Sequence, residues 1–291
     1  MHATLVVTLG SGIAWAGFDL TRKHVSRDIK PVPLVTVLSL AQVPFFVALA
    51  LLSPRSLAVD HGYWGPAALS VTLAVVGNLL FVRALRSAPA SVVLPLLSLT
   101  PVFSGLAAAI ALRERPSTWQ LAGSILVMMG AVAMGVLREP LASGGARHGS
   151  SLGATSLMVL VAIVWSVLGV TDKECLVHAP LAVHGAIRGA SVATVLLAVL
   201  AARGGGFDLA AMARRRRSLV FAALVACVAM FLELVALGTV MVSIQESVKR
   251  AVGTIASFAI GRIVFGEAIT APKVLAASIL TGGVVLLQLR A

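Results

Sequence analysis

LELVALGTVMVSIQESVKRAVGTIASFAIGRIVF, residues 232–265, decides how this chain has to be read. It holds the end of one apolar run and the whole of another. Each run matches the roughly 20 residues that a helix needs to cross about 30 Å of hydrocarbon. Yet Glu233, Glu246, Lys249 and Arg250 lie inside those runs. An ionisable group at the centre of a spanning helix costs at least about 2.5–3.5 kcal/mol on insertion scales, so it needs a partner or a wet cavity. Glu246, Lys249 and Arg250 are spaced i, i+3 and i+4 and so share one face of a helix. Gly253, Ser257 and Gly261 continue that face with small residues, which permit close helix contact or leave a groove. A stripe that is polar above and small below is expected of a cavity wall.

The rest of the chain supports a bilayer setting. Of its 291 residues 59% are hydrophobic and only 12% charged, with a mean hydropathy of +1.01. A soluble chain of this size shows a richer charged surface. The fold class expected is all-α integral membrane. Ten apolar runs are legible, at about 3–20, 32–52, 66–83, 89–112, 118–137, 152–171, 180–202, 219–239, 241–265 and 272–289. They are continuous, unlike the alternating ten-residue strands of an outer-membrane barrel. Loops are short and leave no room for a soluble catalytic domain. The first run lacks a basic leader and reads as a true helix rather than a removed signal peptide. Cys175 and Cys227 read as small apolar fillers, with no CxxC or HExxH arrangement, so neither metal nor cofactor is expected. The net charge of +12 fits loops facing anionic lipid head groups, not a nucleic-acid partner.

The chain says most things twice. A polar, Gly-rich stretch, REPLASGGARHGSS (138–151), divides the runs into five and five. We therefore expect one five-helix unit at 1–140, a linker at 141–151 and a second five-helix unit at 152–291. AWAGFDLTRKHV (14–25) lines up with VWSVLGVTDKEC (164–175), pairing Trp15 with Trp165, Thr21 with Thr171 and Lys23 with Lys173. LAGSIL (121–126) matches LAASIL (275–280), and Glu114 and Glu267 precede them at nearly equal distance. Five spans per repeat force the second repeat to enter the membrane inverted. Inverted repeats are typical of secondary transporters, with the solute site between them near the midplane.

Four more spans supply candidate site residues. Arg188 lies four residues after His184 on the seventh span, Glu233 lies deep in the eighth, and Asn78 and Gln42 offer amides from the third and second. Arg188, Lys249 and Arg250 against Glu233 and Glu246 leave one positive charge over, which invites a bound anion. Adjacent Lys and Arg suit a phosphate or carboxylate, with Arg offering a bidentate fork. The plainer alternative is that the same groups form structural ion pairs, with Arg188 reaching for the interface. Trp15, Trp165, Asp19 and Lys23 are candidates for a gate or cavity wall. Arg22, Asp172, Lys173 and Glu174 read as solvated helix ends, Pro95 and Pro101 as kinks in the fourth span, and Trp64 and Trp119 as interface anchors.

LTPVFSGLAAAIALRERPSTWQLAGSILVMMGAVAMGV (99–136) and IASFAIGRIVFGEAITAPKVLAASILTGGVVLL (255–287) resemble the end of the repeat in the drug/metabolite transporter superfamily, in its EamA-type ten-helix branch. VKRAVGTIASFAIGRIVFGEAIT is similar to the ninth helix of triose-phosphate translocators, where a Lys-Arg pair grips phosphate; this implies a phosphate-binding role for Lys249 and Arg250. Nucleotide-sugar transporters also place a Lys near this point. Glu246, one turn earlier, departs from that pattern and favours a zwitterion or a proton-linked mechanism over strict phosphate exchange.

Loop cations divide fifteen against five, which by the positive-inside rule sets both termini outside, whereas the resemblance implies both in the cytoplasm. The reading that follows is a multi-pass secondary transporter in the cell (inner) membrane, not an enzyme, moving a small anionic or zwitterionic solute. Proton coupling and homodimer formation stay open. Its rivals are proton-coupled efflux of drug cations through Glu246 or Glu233, a lipid-phosphate enzyme, for which no His, Asp or metal constellation is found, and a non-transporting scaffold or sensor. No ATP-binding P-loop is present, so the driving force is a gradient or exchange.

Overall fold

The structure is a computed structural model and describes residues 2–53, 57–87, 94–136, 148–265 and 271–288. Glu267, residues 141–147 of the expected linker and the loop arginines at 55, 138, 147 and 290 lie outside them, as do the side chains of Pro95, Ser257, Gly261, Arg262 and Lys273.

Eleven α-helices make up the described chain. They are α1 (His2–Val25), α2 (Pro31–Leu52), α3 (Trp64–Ser87), α4 (Thr100–Ala111), α5 (Thr118–Val136), α6 (His148–His178), α7 (Leu181–Ala202), α8 (Leu209–Arg214), α9 (Arg216–Leu237), α10 (Val242–Phe265) and α11 (Ala271–Gln288). Short 3-10 turns at His61–Tyr63 and Leu94–Leu99 lead into α3 and α4. Six helices among the described residues, namely α1, α2, α3 with its 3-10 lead, α6, α7 and α9, are long and apolar enough to cross a bilayer. Apolar segments of α4, α5 and α11 are shorter. The ninth span, α10, is as long as the others but carries too much charge to join that group.

Local sequence sets the boundaries. Pro31 opens α2, where its missing N–H costs nothing. Ser117 and Gln120 form a reciprocal cap on α5: the Ser117 N–H donates to Gln120 Oε1 at 2.8 Å and the Gln120 N–H to Ser117 Oγ at 3.3 Å. Asp208 caps α8 by accepting from the Ala211 N–H at 2.9 Å. The start of the fourth apolar run, at 89–93, lies outside the described residues. In its described part a 3-10 segment, Leu94–Leu99, leads into an α-helix that begins at Thr100 with Pro101 in its first turn, a position that needs no N–H donor. Helices α1 and α6 overrun the apolar limits at residues 20 and 171, reaching Val25 and His178. At its other end α6 begins at His148, inside the stretch read as linker.

The bundle is apolar outside and polar inside. Leu51, Leu52, Ile110, Leu106, Val220, Phe221 and Leu224 face outward, whereas Arg22, Asp172, His184, Glu233, Glu246 and Lys249 are buried. Trp64 and Trp119 are exposed, in keeping with interface anchors. Cys175 and Cys227 are buried free thiols.

The most extensive helix pairs each join a helix before residue 137 to one after residue 147. Helix α1 lies on α9 and α10, α6 on α3 and α4, α2 on α7, and α5 on α11. At one end of the bundle, Lys173 pairs with Glu114 at 2.7 Å and donates to the Val240 carbonyl at 2.7 Å, while Glu114 accepts from the Val242 N–H at 3.1 Å. This ties α6 and the α4–α5 turn to the start of α10. At the opposite end, Arg215 pairs with Asp28 at 2.6 Å and meets His24 at 2.8 Å, and Lys23 donates to the Leu85 carbonyl at 3.1 Å.

The α5–α11 seam is close enough for backbone contact at Gly283, where an added Cβ would stand 2.8 Å from the Gly123 carbonyl and from the Val127 nitrogen. Its neighbour Gly282 would meet nothing within 4 Å. Gly283→Ala is therefore expected to destabilise by about 1–3 kcal/mol through overpacking. Gly282→Ala should be neutral or gain up to about 1 kcal/mol of helix propensity. Thermal unfolding of both purified variants measures the contrast, and equal melting temperatures would contradict this packing.

Candidate functional site

Three buried polar clusters meet at the middle of the bundle. The first is built on α10. Lys249 Nζ lies 2.5 Å from Glu233 Oε1 of α9 and also contacts Glu246 Oε1, while Arg250 Nη2 reaches Glu246 Oε2 at 3.3 Å. Both carboxylates and the ammonium are buried. The helical spacing read from the sequence thus brings the three α10 side chains onto one face. Trp15 stands beside them, its ring centroid 5.3 Å from Lys249 Nζ.

The second cluster is built on α6. Asp172, 2% exposed, pairs with Arg188 of α7, accepts from the Ser70 hydroxyl of α3 and lies 3.3 Å from His184 Nε2. His184 Nδ1 is in turn 3.0 Å from the Tyr63 hydroxyl. The third is built on α1. Arg22, 1% exposed, donates to Asp19 Oδ1 and Asn78 Oδ1, each at 2.7 Å. Its guanidinium lies over the Phe81 ring, 4.0 Å from the centroid.

A cavity of about 40 Å³ runs between the first two clusters. Nine of the eleven residues singled out from sequence line it: Trp15, Asp19, Asn78, Trp165, Arg188, Glu233, Glu246, Lys249 and Arg250. Lys23 does not; it lies at the end of α1, bonded to Leu85. The eleventh, Gln42, lines an adjoining cavity of similar volume together with Arg22, Asn78, Arg188 and Trp15. Each has room for a few water molecules, whereas ligand pockets need some hundreds of cubic ångströms.

Two expectations are corrected. Arg22 and Asp172 are not solvated helix ends but among the most buried charges, because α1 and α6 continue past the apolar runs that defined them. The surplus positive charge also vanishes. Arg22, Arg188, Lys249 and Arg250 face Asp19, Asp172, Glu233 and Glu246, four against four. Arg188 does not reach for the interface, since Asp172 and Met230 Sδ hold its Nη1 inside. A signal for this lay in the repeat itself. The match of 14–25 to 164–175 sets Arg22 in register with Asp172, so the two halves carry opposite charges at one position.

Gly77 fixes one wall. A Cβ there would stand 2.7 Å from Trp165 Nε1, so only glycine lets the indole lie flat against α3, with its ring 4.8 Å from that of Phe81. Three buried donors that line the cavities, Trp15 Nε1, Arg22 Nε and Arg250 Nε, find no acceptor among the described residues. An unsatisfied buried donor carries a desolvation cost of about 1–3 kcal/mol, more when charged.

Residues 2–136 match the model of the EamA-like transporter family. No curated protein matches the sequence. A crystal structure of a protein with 15% identity superposes with a TM-score of 0.76, covering 99% of each chain, so the fold of the whole chain has a solved counterpart in shape. That family and the apolar helices together make this a multi-pass membrane transporter of small molecules.

Lys249 is the hinge of the charge balance, since among the described residues it alone contacts Glu233 as an ion pair. Lys249→Met strands Glu233 and should destabilise by about 3–5 kcal/mol. Adding Glu233→Leu removes the stranded charge and should recover more than half of that loss. Equal melting temperatures for the single and double variants would show that Glu233 does not depend on this pair.

Proposed function

We propose that this chain is a secondary transporter of a small organic solute bearing a carboxylate or phosphate, either anionic or zwitterionic. The solute binds between two inverted five-helix repeats, residues 1–140 and 152–291, which together cross the cell's inner membrane ten times. The exchange of helix partners between halves supports the repeat reading: α1 on α9 and α10 mirrors α6 on α3 and α4. Rocking one half against the other would open the cavity to one end at a time, breaking the Lys173–Glu114 tie or the Asp28–Arg215 tie in turn.

One observation carries the choice of solute. Trp15, Arg22 and Arg250 line the cavities and each carries a buried N–H donor without a partner among the described residues, and the complement of three donors is a group with several acceptor oxygens. Lys249 and Arg250 hold that group, Glu246 sets their charge, and Arg188, Glu233 and Asn78 support them. Trp15, Trp165 and Asp19 form the walls. Because the charges balance, a solute of zero net charge enters without cost to neutrality. A net anion requires a compensating cation.

Thermal unfolding of the purified protein with L-alanine, L-lactate, inorganic phosphate or tetraphenylphosphonium tests this. Saturation at 100 times Kd adds about 2.7 kcal/mol of stability. We expect stabilisation by at least one of the first three, lost in Arg250→Gln. Stabilisation by tetraphenylphosphonium alone, lost in Glu246→Gln, would replace this reading with cation efflux. No response to any probe would leave a scaffold or sensor.

A further inference from the structure

The Asp172 cluster contains a group that solute binding does not use. His184 is 1% exposed and sits between two partners of different kind. Its Nε2 faces the Asp172 carboxylate at 3.3 Å and its Nδ1 faces the Tyr63 hydroxyl at 3.0 Å. In the neutral ring Nε2–H donates to the carboxylate and Nδ1 accepts from Tyr63. If Nδ1 gains a proton, the Tyr63 hydroxyl can rotate from donor to acceptor while Nε2–H stays on Asp172. In both states each ring nitrogen of His184 has a partner, so neither strands the imidazole.

The surroundings decide what that proton does. Besides Asp172, helix α6 offers Cys175, packed with Tyr63 in the same buried cluster. Helix α7 offers Arg188, α3 only the Ser70 hydroxyl, and the neighbouring face of α2 only Phe46 against Gly185. Past Arg188 stand Met230 and Glu233 of α9, and Glu233 is already held by Lys249. Asp172 is therefore the carboxylate that His184 and Arg188 share. The Tyr63 side chain is fully buried, while its backbone N–H bonds the carbonyl of exposed Asp60, whose own N–H bonds the His178 carbonyl at the end of α6.

We propose that His184, held between Tyr63 and Asp172, is the proton-binding site of this transporter, and that one proton bound there accompanies each single negative charge of the solute. The inference rests on the solute reading above and deepens it. With His184 neutral, four cations face four anions and the cavity has no net attraction for an anion. One proton taken from bulk water makes imidazolium and turns the balance to plus one. Asp172 then has two cationic partners, and Arg188, which lines both cavities, is the one that can turn to a solute oxygen. A univalent anion restores neutrality, and the loaded site can close.

The test uses the full chain with 15N-labelled histidine in lipid nanodiscs, with His184→Gln identifying the resonances. Tyr63→Phe serves as a second variant that removes only a hydroxyl. The His184 signals should show both the neutral and the imidazolium pattern across a pH series, and the balance between them should change in Tyr63→Phe. L-Lactate, whose charge is constant over this range, should bind at least fivefold more tightly at pH 5.5 than at pH 7.5, and L-alanine equally at both. In His184→Gln the lactate dependence should disappear. A His184 ring that stays in one state throughout overturns the proposal, as does lactate binding that ignores pH while the ring titrates. A titrating His184 with no probe bound at any pH would sink the solute reading and leave the proton site standing.

Discussion

Charge in a hydrocarbon layer has to be answered within the protein, and that constraint organises this molecule. Four cations and four anions are drawn from α1, α6, α7, α9 and α10, and each lies against one of opposite sign. Arg22–Asp19 and Arg250–Glu246 lie within α1 and α10, but Lys249–Glu233 and Arg188–Asp172 run between helices. The bundle must therefore bring α9 onto α10 and α6 onto α7 for these two pairs to be tolerated in the bilayer. Packing between small residues then closes the seams: Gly77 admits Trp165 and Gly283 admits the backbone of α5.

The same constraint explains how the cavity can be both polar and small. Lys249 is served by two carboxylates, whereas Arg250 has one contact at 3.3 Å and an Nε donor without an acceptor. The basic pair read from the sequence is thus split in role. Lys249 supports the ion-pair framework, and Arg250 is the partner with capacity left for something else. Arg22 and Trp15 share that property. Such partly satisfied donors are tolerated where a ligand completes them.

Helix existence and the shared face of Glu246, Lys249 and Arg250 were legible because hydropathy and helical spacing report directly on burial and direction. The ends were not. Apolar runs stop at residues 20 and 171, but the hydrogen-bonded helix goes on through Arg22 and Asp172 because partners on other helices make their burial affordable. Hydropathy sees the side chain and not the partner, so it read two inner charges as solvent-facing. His184 and Tyr63 escaped for a related reason: they lie far apart in sequence and meet only when the lead of α3 packs on α7. The place of Pro101 was not legible either, because a proline can break a helix or begin one, and only the observed start of α4 at Thr100 decides which.

The register of Arg22 with Asp172 has a consequence for exchange of charge between the two positions. Arg22 is answered from its own half by Asp19 and Asn78, whereas Asp172 is answered by Arg188 and His184 and by the Ser70 hydroxyl. Each position is fitted to its own sign by its neighbours, so reversing either charge alone would strand the groups that now hold it.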